Sequence, residues 1–198
     1  MSELTPSQSV AIALREERRT MREGYAFLDE KCLLLAGEML REVRAWEECA
    51  RQLAPRLAAA RAALARAIGR HGLDGLQVQP AAPGRWRLQV TPRQLLRVRL
   101  QSARLLGEAG AAEPAAWPSP EAQDCRAAHA ALVAPLAELA AHSGNLARLH
   151  TEYRRTVRRV RALQNVLLPE IESSLRDVET SLEELEQDEA ATLRRMRR

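Results

Sequence analysis

The sequence predicts a mainly α protein: a long antiparallel two-helix coiled coil formed by the N- and C-terminal helices, with a small β-hairpin and loop region in the middle. Three observations carry this. Through the last 45 residues, apolar side chains recur every three or four positions: Val157, Val160, Leu163, Leu167, Ile171, Leu175, Val178, Leu182, Leu185, then Leu193 and Met196, with only Glu189 interrupting. That spacing, close to 3.5 residues per turn, is the seam of a two-stranded coiled coil. Aromatic residues make up only 3% of the chain, while Leu and Ala supply most of the apolar content. Good helix formers without aromatic bulk suit an elongated helical protein better than a globule. Finally, the first 68 residues repeat the pattern and supply a partner.

In the N-terminal segment, Thr5-Pro6-Ser7 is a capping region with Pro near the first turn. Leu14, Met21, Leu28 and Leu35 then lie seven apart, as do Tyr25, Cys32, Met39, Trp46 and Leu53. Farther on the face drifts to Val43, Ala50, Leu57 and Leu64, as expected when a 3.6-residue helix carries a seven-residue pattern. Pro55 is expected to kink this helix, and Gly69, Gly72 and Gly75 to end it. Gly24 inside the pattern costs about 1 kcal/mol against Ala.

The middle changes character. Leu76-Gln-Val78-Gln alternates, Pro80, Pro83 and Gly84 break the chain, and Trp86-Arg-Leu88-Gln-Val90 alternates again, which predicts a β-hairpin from these two runs. Residues 93–106 fit either a short helix or another strand, and 107–120 read as a Gly-, Pro- and Ala-rich loop. Helix resumes near Pro120-Glu121, with Pro135 and Pro169 as kink positions. The organisation is therefore an N-terminal helix over 1–70, an insertion over 71–120 and a C-terminal helix over 121–198. If Leu28 faces Leu182, Leu14 falls opposite Met196, Leu35 opposite Leu175, and Trp46 near Leu163 and Gln164. The expected coiled-coil seam comprises Leu14, Met21, Leu28, Leu35, Leu163, Leu167, Ile171, Leu175, Val178, Leu182 and Leu185.

Composition excludes several classes of function. No stretch reaches 18 apolar residues, so no membrane span is predicted, and the N-terminus lacks a signal-peptide apolar region. Cys32, Cys49 and Cys125 form no CxxC and are odd in number, which argues against a disulfide framework. Cys32, at a seam position, reads as a small buried hydrophobe. Residues 61–120 carry nine positive and three negative groups, and residues 170–198 carry five and nine. The arginines are spread among acids without aromatic interleaving, so nucleic acid is not the expected partner. No GxxxxGK[ST], HExxH or GxSxG occurs. His71, His129, His142 and His150 lack ligand-like spacing, so neither a metal site nor a catalytic site is expected. The terminal Arg194-Arg195-Met196-Arg197-Arg198 suits a helix C-terminus.

The block Thr156-Val-Arg-Arg-Val-Arg-Ala-Leu163, followed by Val166-Leu-Leu-Pro169, resembles the D subunit of V-type and A-type rotary ATPases. In that family the corresponding helix carries Arg-Arg-x-x-Ala-Leu, a hydrophobic step and then Pro. Leu182-Glu-Glu-Leu-Glu-Gln-Asp-Glu189 and Leu193-Arg-Arg-Met196 are similar to the family's charged ending. Thr5-Pro6-Ser7, Gly24-Tyr-Ala-Phe-Leu28 with Lys31, and Trp86 to Val90-Thr-Pro92 are similar to its start and hairpin. Asp29-Glu30-Lys31-Cys32 departs from the family's basic cluster, and the usual glycine near Trp86 is missing.

The resemblance implies a non-catalytic central stalk, or rotor shaft, without cofactor. It would couple ATP hydrolysis or synthesis in the catalytic ring to proton or sodium translocation. The implied partners are the A and B subunits of the ring, the F subunit and a funnel-shaped subunit joining the membrane rotor. The implied location is peripheral, at the cytoplasmic face of the membrane. Arg154, Arg155, Arg158 and Arg159 stand either as ring contacts or as an ordinary solvated coiled-coil face; Glu183, Glu184 and Glu186 lean towards the latter. The competing readings are a stand-alone coiled-coil adaptor or export-apparatus stalk, and a basic nucleic-acid-binding helical protein.

Overall fold

The structure, a computed structural model, describes residues 7–80, 86–107, 115 and 117–196. Helix α1 spans Gln8–Gln77. Strands β1 (Arg87–Leu95) and β2 (Val98–Leu106) follow as one antiparallel pair. Helix α2 runs over Pro120–Ala162, a π-helical segment over Leu163–Leu167, and α3 over Leu168–Met196. The chain divides into two compact units, one of residues 1–35 with 153–198 and one of residues 36–152. The expected long N- and C-terminal helices with a small hairpin between them are present.

Local chemistry sets the helix ends. Ser7 caps α1, its hydroxyl accepting the Val10 N–H at 3.3 Å, as an N-cap serine does. Ser119 caps α2 by accepting the Ala122 N–H at 3.3 Å, and Pro120 occupies the first helical position, where its missing N–H costs nothing. The Ser119 hydroxyl also lies 2.6 Å from His71 Nε2 and donates to Glu121 at 3.0 Å. The N–H of Glu121 itself, with Ser119, holds the Glu121 carboxyl below its usual range.

Three expectations change. The backbone passes Pro55 and Gly69 in helical conformation and breaks at Gly72 (φ 70°, ψ 173°), a conformation that only glycine adopts cheaply. Leu76 and Gln77 then form a last helical turn rather than a strand. The hairpin is built instead from 87–95 and 98–106, so the ambiguous segment 93–106 holds the end of β1, the turn and all of β2. Its two-residue turn, Leu96-Arg97, has positive φ at both positions (46° and 71°). Positive φ at both central residues is the type I′ pattern, whose twist matches the flanking strands. The loop expected over 107–120 lies largely outside the described residues.

Pro169 sits just inside α3. Lacking an N–H, it cannot bond the carbonyl four residues back. The helix widens ahead of it, and Leu168 donates its N–H to the Leu163 carbonyl, five residues back. The expected kink position is thus relieved as a π-bulge.

Candidate functional site

In the first unit, α1 packs antiparallel to α3. Ala11, Leu14, Leu175 and Val178 form a buried cluster, with Val10 and Leu182 against it. Arg15 reaches Glu179 at 2.7 Å and Arg22 reaches Glu172 at 2.7 Å. Facing residue numbers therefore sum to 194, not 210. Leu14 lies beside Leu175 and Val178 rather than Met196, and Leu28 is level with residues near Val166 rather than Leu182. A heptad stripe is nearly self-similar when slid by whole turns, so apolar matching cannot choose among registers. Both ion pairs are half exposed and contribute about 0–1 kcal/mol each; they mark the register more than they stabilise it.

The predicted seam residues fall into three groups. Leu14, Leu35, Ile171, Leu175 and Val178 are buried. Met21, Leu28, Leu163 and Leu182 are half-buried. Leu167 and Leu185 are exposed at 37% and 49%. At the observed register the described start of α1, at Gln8, comes level with residue 186, and Leu193 and Met196 stand 61% and 79% exposed. Arg154, Arg155, Arg158 and Arg159 are exposed, while Thr156 beside them is buried. Phe27, Leu33 and Leu34 are also exposed, at 62%, 70% and 50%.

In the second unit, α1 packs antiparallel to α2. Leu53, Ala60 and Leu132 form one cluster, and Ala63, Ala67 and Cys125 another. Small residues at these contacts let the two backbones approach closely. Trp46 donates its indole N–H to Ser143 at 2.9 Å, which replaces the expected Trp46–Leu163 proximity.

The hairpin is held to this helix pair by a buried polar clamp. Glu38 is only 1% exposed and takes ion pairs from Arg93 of β1 and from Arg41. Burial alone would raise the Glu38 carboxyl, but hydrogen bonds from Arg93 and Arg41 outweigh it and hold the group below its usual value of 4.5. Glu42, one turn on, accepts from His142 Nδ1 at 2.7 Å and from Asn145 Nδ2 at 3.2 Å.

Asn145 is 2% exposed. Its Oδ1 accepts the Gln101 N–H at 2.9 Å and its Nδ2 donates to the Gln101 carbonyl at 2.8 Å. One side-chain amide thus does for β2 what the peptide of a third strand would do. Gln101 pairs across the hairpin with Pro92. Because both polar groups of Gln101 point away from β1, the pair is of the non-hydrogen-bonded kind, and Pro92 also faces outward. Its missing N–H therefore removes no bond between the strands.

A family model for the D subunit of ATP synthase matches residues 10–198. The chain belongs to that family. Among curated proteins no match was found. Membership makes the chain a stalk subunit of a rotary ATPase, a part that is generally non-catalytic and that works among other subunits of a membrane-associated complex. Among the described residues no helix is long and apolar enough to cross a membrane, and no group of three His, Cys, Asp or Glu side chains is placed to hold a metal. His129 bonds the Cys125 carbonyl at 2.8 Å through Nδ1, as an ordinary helix histidine does. All three cysteines are free, and burial raises the thiol pKa of Cys32 and Cys49.

Sequence reasoning missed Glu38, Glu42, Arg93 and Asn145. One signal was present: the heptad Leu14, Met21, Leu28, Leu35 continues to Glu42, and a carboxylate on an apolar stripe needs a buried partner.

Proposed function

We propose that this stalk subunit is the central rotor shaft of a V/A-type ATPase, turning inside a ring of A and B subunits and coupling ATP hydrolysis or synthesis to proton or sodium translocation. The observation that carries the reading is the cluster of Ala11, Leu14, Leu175 and Val178 in an antiparallel helix pair. Torque passes only through an element that resists twisting, and two helices locked by interdigitated side chains twist less readily than one. The side chains do no bond chemistry. Their asymmetric surface would contact each catalytic interface differently, so each angle selects one set of site conformations.

Arg154, Arg155, Arg158 and Arg159 would meet the ring. The exposed Phe27 and Leu34, seven residues apart and so on one side of α1, would pack against another stalk component, such as the F subunit or the funnel-shaped subunit, since large apolar side chains exposed on one face mark interaction surfaces. The complex would place the chain at the cytoplasmic face of the membrane.

The test is reconstitution of the complex into vesicles with and without this chain, reading ATP hydrolysis and ATP-driven ion uptake together. Uptake is expected only with the chain present. Equal uptake without it would remove the shaft role.

A further inference from the structure

The hairpin of the second unit carries positive charge without a balancing acid of its own. From Arg87 to Leu106 the chain holds Arg87, Arg93, Arg97, Arg99 and Arg104 and no Asp or Glu. Among the described residues only Arg93 of these forms an ion pair, with Glu38 and Glu42. Arg97 occupies the left-handed turn. Arg97, Val98 and Arg99 form one wall of an open hollow of about 390 Å³, and Ala147, Arg148, Thr151 and Glu152 of α2 form the other.

Arg148 is held in place there. It folds back over Gly144, where an added Cβ would come within 3.3 Å of its guanidinium, and it donates to Asn145 Oδ1 at 3.0 Å. The hollow therefore brings together three arginines, one glutamate and exposed Ala147, with the nearly buried Val98 at its base.

We infer that this hollow receives an acidic segment of another ATPase subunit, with carboxylates on Arg97 and Arg99 and the aliphatic parts of the segment against Ala147. The identity of the partner as an ATPase subunit rests on the stalk reading; the acidic chemistry rests on the hollow. Guanidinium and carboxylate pair through two parallel hydrogen bonds, among the stronger polar contacts available at a surface. Nucleic acid fits less well, because no aromatic side chain lines the hollow to stack a base. A small anion fits less well too, because the site is open and buries little of a small ligand.

The experiment places the photo-cross-linking residue p-benzoylphenylalanine at Thr151 of the full chain in the reconstituted complex and identifies the cross-linked peptide by mass spectrometry. The expected product is a segment of another subunit rich in Asp and Glu. Its yield is expected to fall roughly tenfold with Arg97→Glu and Arg99→Glu together, by less with Arg97→Gln and Arg99→Gln, and again when salt is raised to about 1 M. Both arginines are exposed and outside the clamp, so the variants test the surface rather than the fold. A product from a neutral or basic segment, a product with nucleic acid, no product, or a yield indifferent to charge reversal overturns the inference while leaving the shaft role intact if ion uptake persists. Failure of the chain to enter the complex at all overturns both.

Discussion

Glu38 shows how one side chain can tie an element down. It is buried to 1% exposure, yet it stays ionised because Arg93 and Arg41 donate to it. A carboxyl whose pKa is lower in the folded chain binds fewer protons there than in the unfolded chain. Its stabilising contribution is therefore complete above the unfolded value of about 4.5 and disappears as the pH falls through the lower folded value. Glu38→Gln should flatten the loss of unfolding free energy below about pH 5 and cost on the order of 1–3 kcal/mol at pH 7. The cost is kept to that range because both arginines are more than half exposed and water can take over part of their solvation. Urea unfolding at a series of pH values measures both effects, and a slope unchanged from the parent below pH 5 would take Glu38 out of the acid response. The sequence held half of this story. The heptad of Leu14, Met21, Leu28 and Leu35 runs on to Glu42, but Arg93 and Asn145 are far away in the chain and no local pattern joins them to it.

Among the elements, the hairpin is the least regular in its residue choice. A type I′ turn favours Asn-Gly, yet here Leu96 and Arg97 both take positive φ, at a cost of about 1–2 kcal/mol each for an L-residue with a Cβ. Replacing Leu96-Arg97 by Asn-Gly should raise the stability of the full chain by about 1 kcal/mol, read as an increase in the thermal unfolding midpoint. No increase would mean that the packing of half-buried Leu96 offsets the strain. The same turn explains why sequence pattern alone misplaces the strands. Leu76-Gln-Val78-Gln alternates cleanly and precedes Pro and Gly, whereas the true turn carries no Asn, Gly or Pro. Tertiary anchoring by Asn145 and Arg93 selects the turn instead. The long helices were legible because fifty or more residues repeat one period. Their register was not, because that same repetition makes many offsets nearly equivalent. What reveals it are non-repeating pairs such as Arg15 with Glu179 and Trp46 with Ser143.

For the whole molecule, the proposed shaft role raises the question of which contacts would carry load. Two kinds are available in the first unit: the exposed ion pairs of Arg15 and Arg22, and the buried cluster of Leu14, Leu175 and Val178. Exposed pairs contribute about 0–1 kcal/mol, so reversing Arg15 alone should leave the number of ions moved per ATP within about twofold of the parent. Two carboxylates forced into the buried cluster, by Leu175→Asp with Val178→Asp, each demand several kcal/mol of desolvation or bring water between the helices. A free-energy change of that size exceeds tenfold in any equilibrium between locked and slipped pairs. The double variant should therefore let ATP hydrolysis continue while the ion-to-ATP ratio falls by roughly tenfold, measured in vesicles on the assembled complex. Leu193→Asp, at a position 61% exposed, should change neither and serves as the control for added charge. If hydrolysis and uptake instead fall together in the double variant, the cluster maintains assembly rather than transmitting torque; if neither falls, the helix pair is not the load-bearing part.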